Sequence, residues 1–257
     1  MNDEVRQNRD HGCDAGRNKV PAAKHGQRPR NDSGDGKRCK ELLARYALRQ
    51  EHYARIFTVG KVASASTVTS LIDTQRVDLV VFTGVAGAVS PDLEIGDVVI
   101  GSHLLQHDLD ARPFFERYEI PQLEASRLPL RPQYVDLAAS AAERYLNLDL
   151  PVEVPARALA EFGITRPKVR CGLIVTGDRF IGDADSRDRL AREVPGALCV
   201  EMEGAAVAQV CHERGTPLVV VRTISDKADR HVDFVRFVDT IATHFTCGIV
   251  RQLLAEI

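Results

Sequence analysis

Two carboxylates, Glu201 and Glu203, close an apolar run in "ALCVEMEG" (197–204). A carboxylate has two oxygens and can accept two hydroxyl donors, which suits a vicinal diol. If the strand persists through the pair, both acids face one side and Met202 the other. The plainer reading is an acid at a helix N-terminus, worth about 0.3–1 kcal/mol, and for Glu203 taken alone it is the stronger one. A third carboxylate, Asp226, ends the apolar run of "PLVVVRTISDKAD" (217–229). An aspartate withdrawn from water can carry a proton and hand it to a leaving group. Equally, Ser225 or Asp226 can cap the next turn. In "FTGVAGA" (82–88), Gly84 and Gly87 stand three apart. Such glycines let backbone approach a ligand closely, although a plain strand-to-helix turn explains them as well. The G-x-G-x-x-G spacing of a dinucleotide site is absent. "TGDRFIG" (176–182) is the fourth group of small, polar and acidic residues to follow an apolar run.

These groups need elements to hold them. "VDLVVF" (77–82), "GDVVIG" (96–101), "RCGLIVTGD" (170–178), "ALCVEM" (197–202) and "PLVVVRTISD" (217–226) read as short buried strands, the first followed by the loop "TGVAGAV". "KVASASTVTSLI" (61–72) has helical spacing. Another helix begins near Ser186, and "GAAVAQVCHERG" (204–215) is a helix closed by Gly215. Phe234, Val238, Ile241, Phe245, Ile249 and Leu253 recur at steps of three and four, one apolar stripe that docks on a core. Val- and Ile-rich strands alternating with helices imply an α/β fold with a mainly parallel central sheet. Ligands then bind beyond the carboxyl ends of the strands, where the four groups stand.

The first 40 residues differ. Apart from Met1, Val5 and Val20 are their only aliphatics larger than alanine, and they carry ten basic and six acidic side chains with no period of 2 or 3.6. Such a segment buries too little to offset its ordering entropy, and it has neither the apolar core of a signal peptide nor the amphipathicity of a transit peptide. The whole chain of 257 residues has a formal net charge of −2, which gives no global field for nucleic acid or an anionic membrane. No apolar run spans a bilayer. The six cysteines are scattered without a CxxC, and Cys171, Cys199 and Cys211 sit in apolar contexts as small core residues. This points to the reducing cytoplasm, with neither a disulfide framework nor a zinc site.

Taken together, "VVFTGVAGAVSPDLEIGDVVIG", "GLIVTGDRFIG", "CVEMEGAAVAQVC" and "PLVVVRTISDKAD" closely resemble the 5′-methylthioadenosine/S-adenosylhomocysteine nucleosidases of the nucleoside phosphorylase superfamily, from about Gly60 onward. The resemblance implies a three-layer α/β sandwich around a mainly parallel or mixed sheet, and hydrolysis of an N-glycosidic bond with release of adenine. It implies that Asp226 protonates N7 of adenine and that Ser225 helps to hold the base. Phe180 stacks on the purine and the Ile181 backbone reads its edge. Met202 packs against the ribose, Glu203 binds its diol, and Ala86 and Gly87 line the sugar and the attacking side. It implies no cofactor and no metal, a small nucleoside as the substrate, and a homodimer in which Phe114 or Phe115 reaches the neighbouring site. Related phosphorylases place a phosphate-clamping arginine where this chain has Phe82, so water is the expected nucleophile.

The family opens with a hydrophobic first strand and a loop of the type "GAMxxE", whose Glu activates the water. Glu4, Glu41 and Glu51 do not follow an apolar strand, and the role is carried onto none of them. The expectation is therefore a non-matching segment at 1–55, from a shifted reading frame or a misassigned gene start, and a nucleoside phosphorylase-like domain at 56–257 without its first strand. Two rival readings follow. One is a purine-nucleoside-binding protein with little or no catalysis. The other is a hydrolase of a different nucleoside, such as futalosine.

Overall fold

The computed structural model describes residues 59–227 and 234–257. The segment 1–55, its missing strand and Glu4, Glu41 and Glu51 lie outside the described residues. Helix α1 (Lys61–Gln75) buries Ser64, Val68 and Leu71, a one-sided spacing of four and three, and ends at Arg76 in the left-handed region (φ 56°). Strand β1 (Val80–Ala88) runs straight through the glycine segment, where a loop was expected. Its parallel pairing with β6 (Leu218–Asp226) continues from Val80↔Leu218 to Gly87↔Asp226, with a shift in register after Ala86. Tertiary pairing overrides the weak strand preference of glycine here.

Strand β2 (Val98–Gln106) pairs in parallel with β4 (Val169–Thr176), which pairs in parallel with β5 (Ala197–Glu201). β5 meets β1 antiparallel, β2 meets β6 antiparallel, and the two-residue β3 (Leu128–Pro129) lies outside β2. The mixed sheet thus curls until β2 reaches β6. On one side pack helix α2 (Pro132–Arg144), a wide π turn at Tyr145–Asp149, the short α3 (Leu150–Glu153) and α4 (Ala156–Glu161), and the C-terminal helices. On the other lie α1 and α6 (Gly204–Arg214), with α5 (Ala184–Glu193) over a third cluster that includes Val175, Leu190 and Val200. Helices on both faces of a mixed sheet give the expected three layers.

The C-terminal stripe is partly corrected. The chain passes from α7 (Phe234–Phe237) through a π turn at Val238–Ala242 into α8 (Thr243–Leu254). The wide turn shifts the register, so Phe237, Ile241, Phe245, Ile249 and Leu253 form the buried row, while Phe234 is 48% exposed. Gly215 closes α6 with φ 67°, as read. Cys199 and Cys211 are buried, but Cys171 is exposed, because β5 covers β4 only from Leu173 onward. No helix among the described residues is long and apolar enough to cross a membrane.

Candidate functional site

Strand register collects the four groups in one row. Thr176 stands opposite Glu201, Gly87 opposite Val200, and Gly87 again opposite Asp226. The ends of β4, β5, β1 and β6 therefore lie side by side, where an α/β sheet offers a ligand its crevice.

At one end of the row Ser225 donates its hydroxyl to Asp226 Oδ2 at 2.9 Å and lies 3.4 Å from the Ala86 carbonyl oxygen. Gly87 lets this carboxylate approach the β1 backbone closely, since a Cβ there would stand only 3.2 Å from Asp226 Oδ1. Ala86, Gly87, Ser225 and Asp226 are thus brought together.

Glu201 and Glu203 separate. β5 ends at Glu201, so the two acids do not share a strand face. The Glu201 side chain is buried against Arg222, Nη2 to Oε2 at 2.6 Å, with each side chain 2% exposed. Its carboxylate also accepts the Thr176 hydroxyl, the Glu203 amide at 3.1 Å and the Gly204 amide at 2.7 and 2.9 Å. Glu201 is therefore the acid at the N-terminus of α6, the role that Glu203 alone had seemed to fit. Glu203 precedes α6 with φ −136° and its side chain makes no cap. Instead its Oε1 accepts the Gly60 amide at 2.9 Å. Burial pushes the Glu203 carboxyl above the usual glutamate range, the charge of Glu201 adds to the rise, and the Gly60 amide and Arg222 oppose it.

Several groups here escape a reading by strand ends. Gly60 opens α1 with φ 100°, a region that favours glycine. The next amide, from Lys61, donates to Asp178 Oδ1 at 3.0 Å. Asp108 accepts Lys61 Nζ at 2.7 Å and the Asp178 amide at 2.9 Å, which holds its carboxyl below the ordinary range against burial. The N-terminus of α1 is thus bound by two carboxylates that arrive from distant parts of the chain. Arg222 covers the Phe82 ring at 4.2 Å, and a Cβ at Gly84 would stand 2.9 Å from its Nη1. A lone arginine within "LVVVRTIS" was the available signal, because a buried guanidinium demands a buried acid.

Phe180 is not packed into this group: it is 67% exposed, while Ile181 is buried. Met202 is half-buried, between the two acids. A cleft of about 480 Å³ opens between Ala88 at the end of β1 and the residues after it as far as Pro91, Lys227 and the α5 residues Arg187 and Ala191. It adjoins the Asp226 end of the row but is lined by neither Asp226 nor Glu203. No set of His, Cys, Asp or Glu among the described residues could hold a metal ion.

The phosphorylase superfamily profile matches residues 33–255, so the match begins upstream of residue 55. A 5′-methylthioadenosine/S-adenosylhomocysteine nucleosidase of Chromohalobacter salexigens is 37% identical over 189 residues, 72% of each chain. Among solved structures, the nucleosidase of that name from Neisseria meningitidis, in complex with methylthio-immucillin-A, superposes with a TM-score of 0.67 at 30% identity, covering 79% of this chain and 80% of its own. A futalosine hydrolase of Helicobacter pylori gives 0.61 at 30% identity, over 78% and 77%. With this row of strand ends and this similarity over most of its length, the chain belongs to the phosphorylase superfamily and, within it, to the 5′-methylthioadenosine/S-adenosylhomocysteine nucleosidase family.

Proposed function

We propose that the chain hydrolyses the N-glycosidic bond of 5′-methylthioadenosine and S-adenosylhomocysteine and releases adenine. The observation that carries this reading is the meeting of Gly87 with Asp226 at the strand ends, where the Ser225 hydroxyl donates to the Asp226 carboxyl at 2.9 Å. Asp226 protonates N7 of the leaving adenine, a contribution of about 10²–10⁴-fold, and Ser225 helps to hold the base. Glu203 accepts the ribose diol: its carboxylate has several lone pairs, and Gly60 uses one. Its negative charge also lies where the breaking bond leaves positive charge on the sugar. Met202 packs on the ribose, Phe180 stacks on the purine, the Ile181 backbone reads its edge, and Ala86 and Gly87 line the sugar.

Water is the nucleophile, because position 82 carries a buried phenyl ring under Arg222 and no phosphate-clamping guanidinium. The chain acts as a cytoplasmic homodimer in methionine salvage and S-adenosylhomocysteine catabolism. The loop after β2 supports the dimer, since it exposes Phe114 at 86% and Phe115 at 38%. Adenine release from 5′-methylthioadenosine, measured with and without phosphate, tests the reading. Release without phosphate is expected. A ribose 1-phosphate product would overturn it, and binding without release would favour a nucleoside-binding protein. The likeness to a futalosine hydrolase keeps that nucleoside as the second substrate to assay.

A further inference from the structure

We infer that Glu201 is a positioning residue for the sugar site: it takes over the capping of α6 and so leaves the Glu203 side chain for the ribose. The inference rests on the reading of Glu203 given above. The first turn of α6 needs acceptors for its amides, and the residue before it, Glu203, is the usual supplier. Here the Glu203 side chain supplies none. Glu201 accepts the Glu203 and Gly204 amides instead, and Thr176 Oγ1 accepts the Ala205 amide at 2.8 Å while donating to Glu201. Arg222, in the middle of β6, holds the same carboxylate at Oε2, 2.6 Å away. One buried acid thereby joins the end of β4, the body of β6 and the start of α6 at the turn from which Met202 and Glu203 project. Thr176, Arg222 and Gly204 are anchored on two strands and a helix, so they hold the carboxylate in place, and the carboxylate in turn holds the Glu203 amide of the turn.

The test uses the full chain and a 5′-methylthio C-nucleoside, whose carbon–carbon glycosidic bond cannot be hydrolysed, with and without its 3′-hydroxyl. The readout is the ratio of the two dissociation constants. Glu203→Gln is expected to collapse the preference for the hydroxyl by about tenfold or more. Glu201→Gln is expected to lower the same ratio severalfold, and to add little in the Glu203→Gln background, because both act on one interaction. Thr176→Val keeps the ion pair and should lower the ratio less, so the outcome does not depend on one variant folding. A role in stability alone would weaken both ligands equally and leave the ratio unchanged in Glu201→Gln and Thr176→Val; that result overturns the inference. If Glu203→Gln itself leaves the ratio unchanged, the assignment of Glu203 fails instead.

Discussion

Gly87 and Asp226 stand opposite each other in the β1–β6 register, so close that a Cβ on Gly87 would stand 3.2 Å from Asp226 Oδ1. Asp226→Asn keeps the shape and removes the acidic proton. It is expected to lower kcat for adenine release by about 10²–10⁴-fold while changing ligand affinity far less. A spectrophotometric adenine assay alongside equilibrium binding separates the two. Equal losses in both would assign Asp226 to binding.

Burial of the Glu201–Arg222 pair leads to a prediction about stability. Removing one member of a buried pair leaves the other charge uncompensated, typically a loss of about 3–5 kcal/mol. Arg222→Met should lie at the low end of that range, because Glu201 keeps the Thr176 hydroxyl and two backbone amides. Combining it with Glu201→Gln should restore part of the loss. Urea unfolding of the two variants provides the comparison, and a double variant less stable than Arg222→Met would contradict it.

Glu203 sets a pH dependence. Its carboxyl lies above the ordinary value of 4.5 because of burial, so the folded protein binds this proton more tightly than the unfolded chain. Its contribution to stability is therefore fully present below the unfolded value and is lost as pH rises through the folded one. Glu203→Gln should raise Tm relative to the unaltered protein at neutral pH, and the difference should vanish below pH 4.5. Nucleoside affinity should move the other way and weaken in acid, since the diol needs the ionised form. A variant of lower Tm at neutral pH would show that the charge is stabilised by its partners.

The strand ends were legible because apolar runs of Val and Ile stop at Thr176, Glu201 and Asp226, and the physics of a buried strand ties its end to a change of polarity. The glycine segment was not read as strand, since glycine's local preference opposes what pairing with β6 imposes. Likewise, alternation along a strand could not show that β5 stops at Glu201 and sends the two acids apart. Arg222 was passed over as one more position in an apolar run. Gly60, Asp108 and Asp178 meet only through the fold, Lys61 and Asp178 being 117 positions apart in sequence, and no local period records such a contact.

Gly248 illustrates packing that the apolar stripe of α8 does not reveal. Its missing side chain faces the ring of Tyr145, which is fully buried and lies edge-on to Phe245 at 5.7 Å. Alanine is the better helix former by about 1 kcal/mol, which would favour Gly248→Ala in an exposed helix. At this position the added methyl overlaps the Tyr145 ring. Enlarging a packed core typically costs about 1–3 kcal/mol, and with a rigid ring as the obstacle the upper part of that range applies. The net expectation is a destabilised protein with a lower Tm. Tyr145→Leu in the same background should recover much of the loss by vacating the ring's edge. A Gly248→Ala protein at least as stable as the unaltered chain would mean that Tyr145 can move aside and that the contact between its π turn and α8 is looser than its geometry indicates.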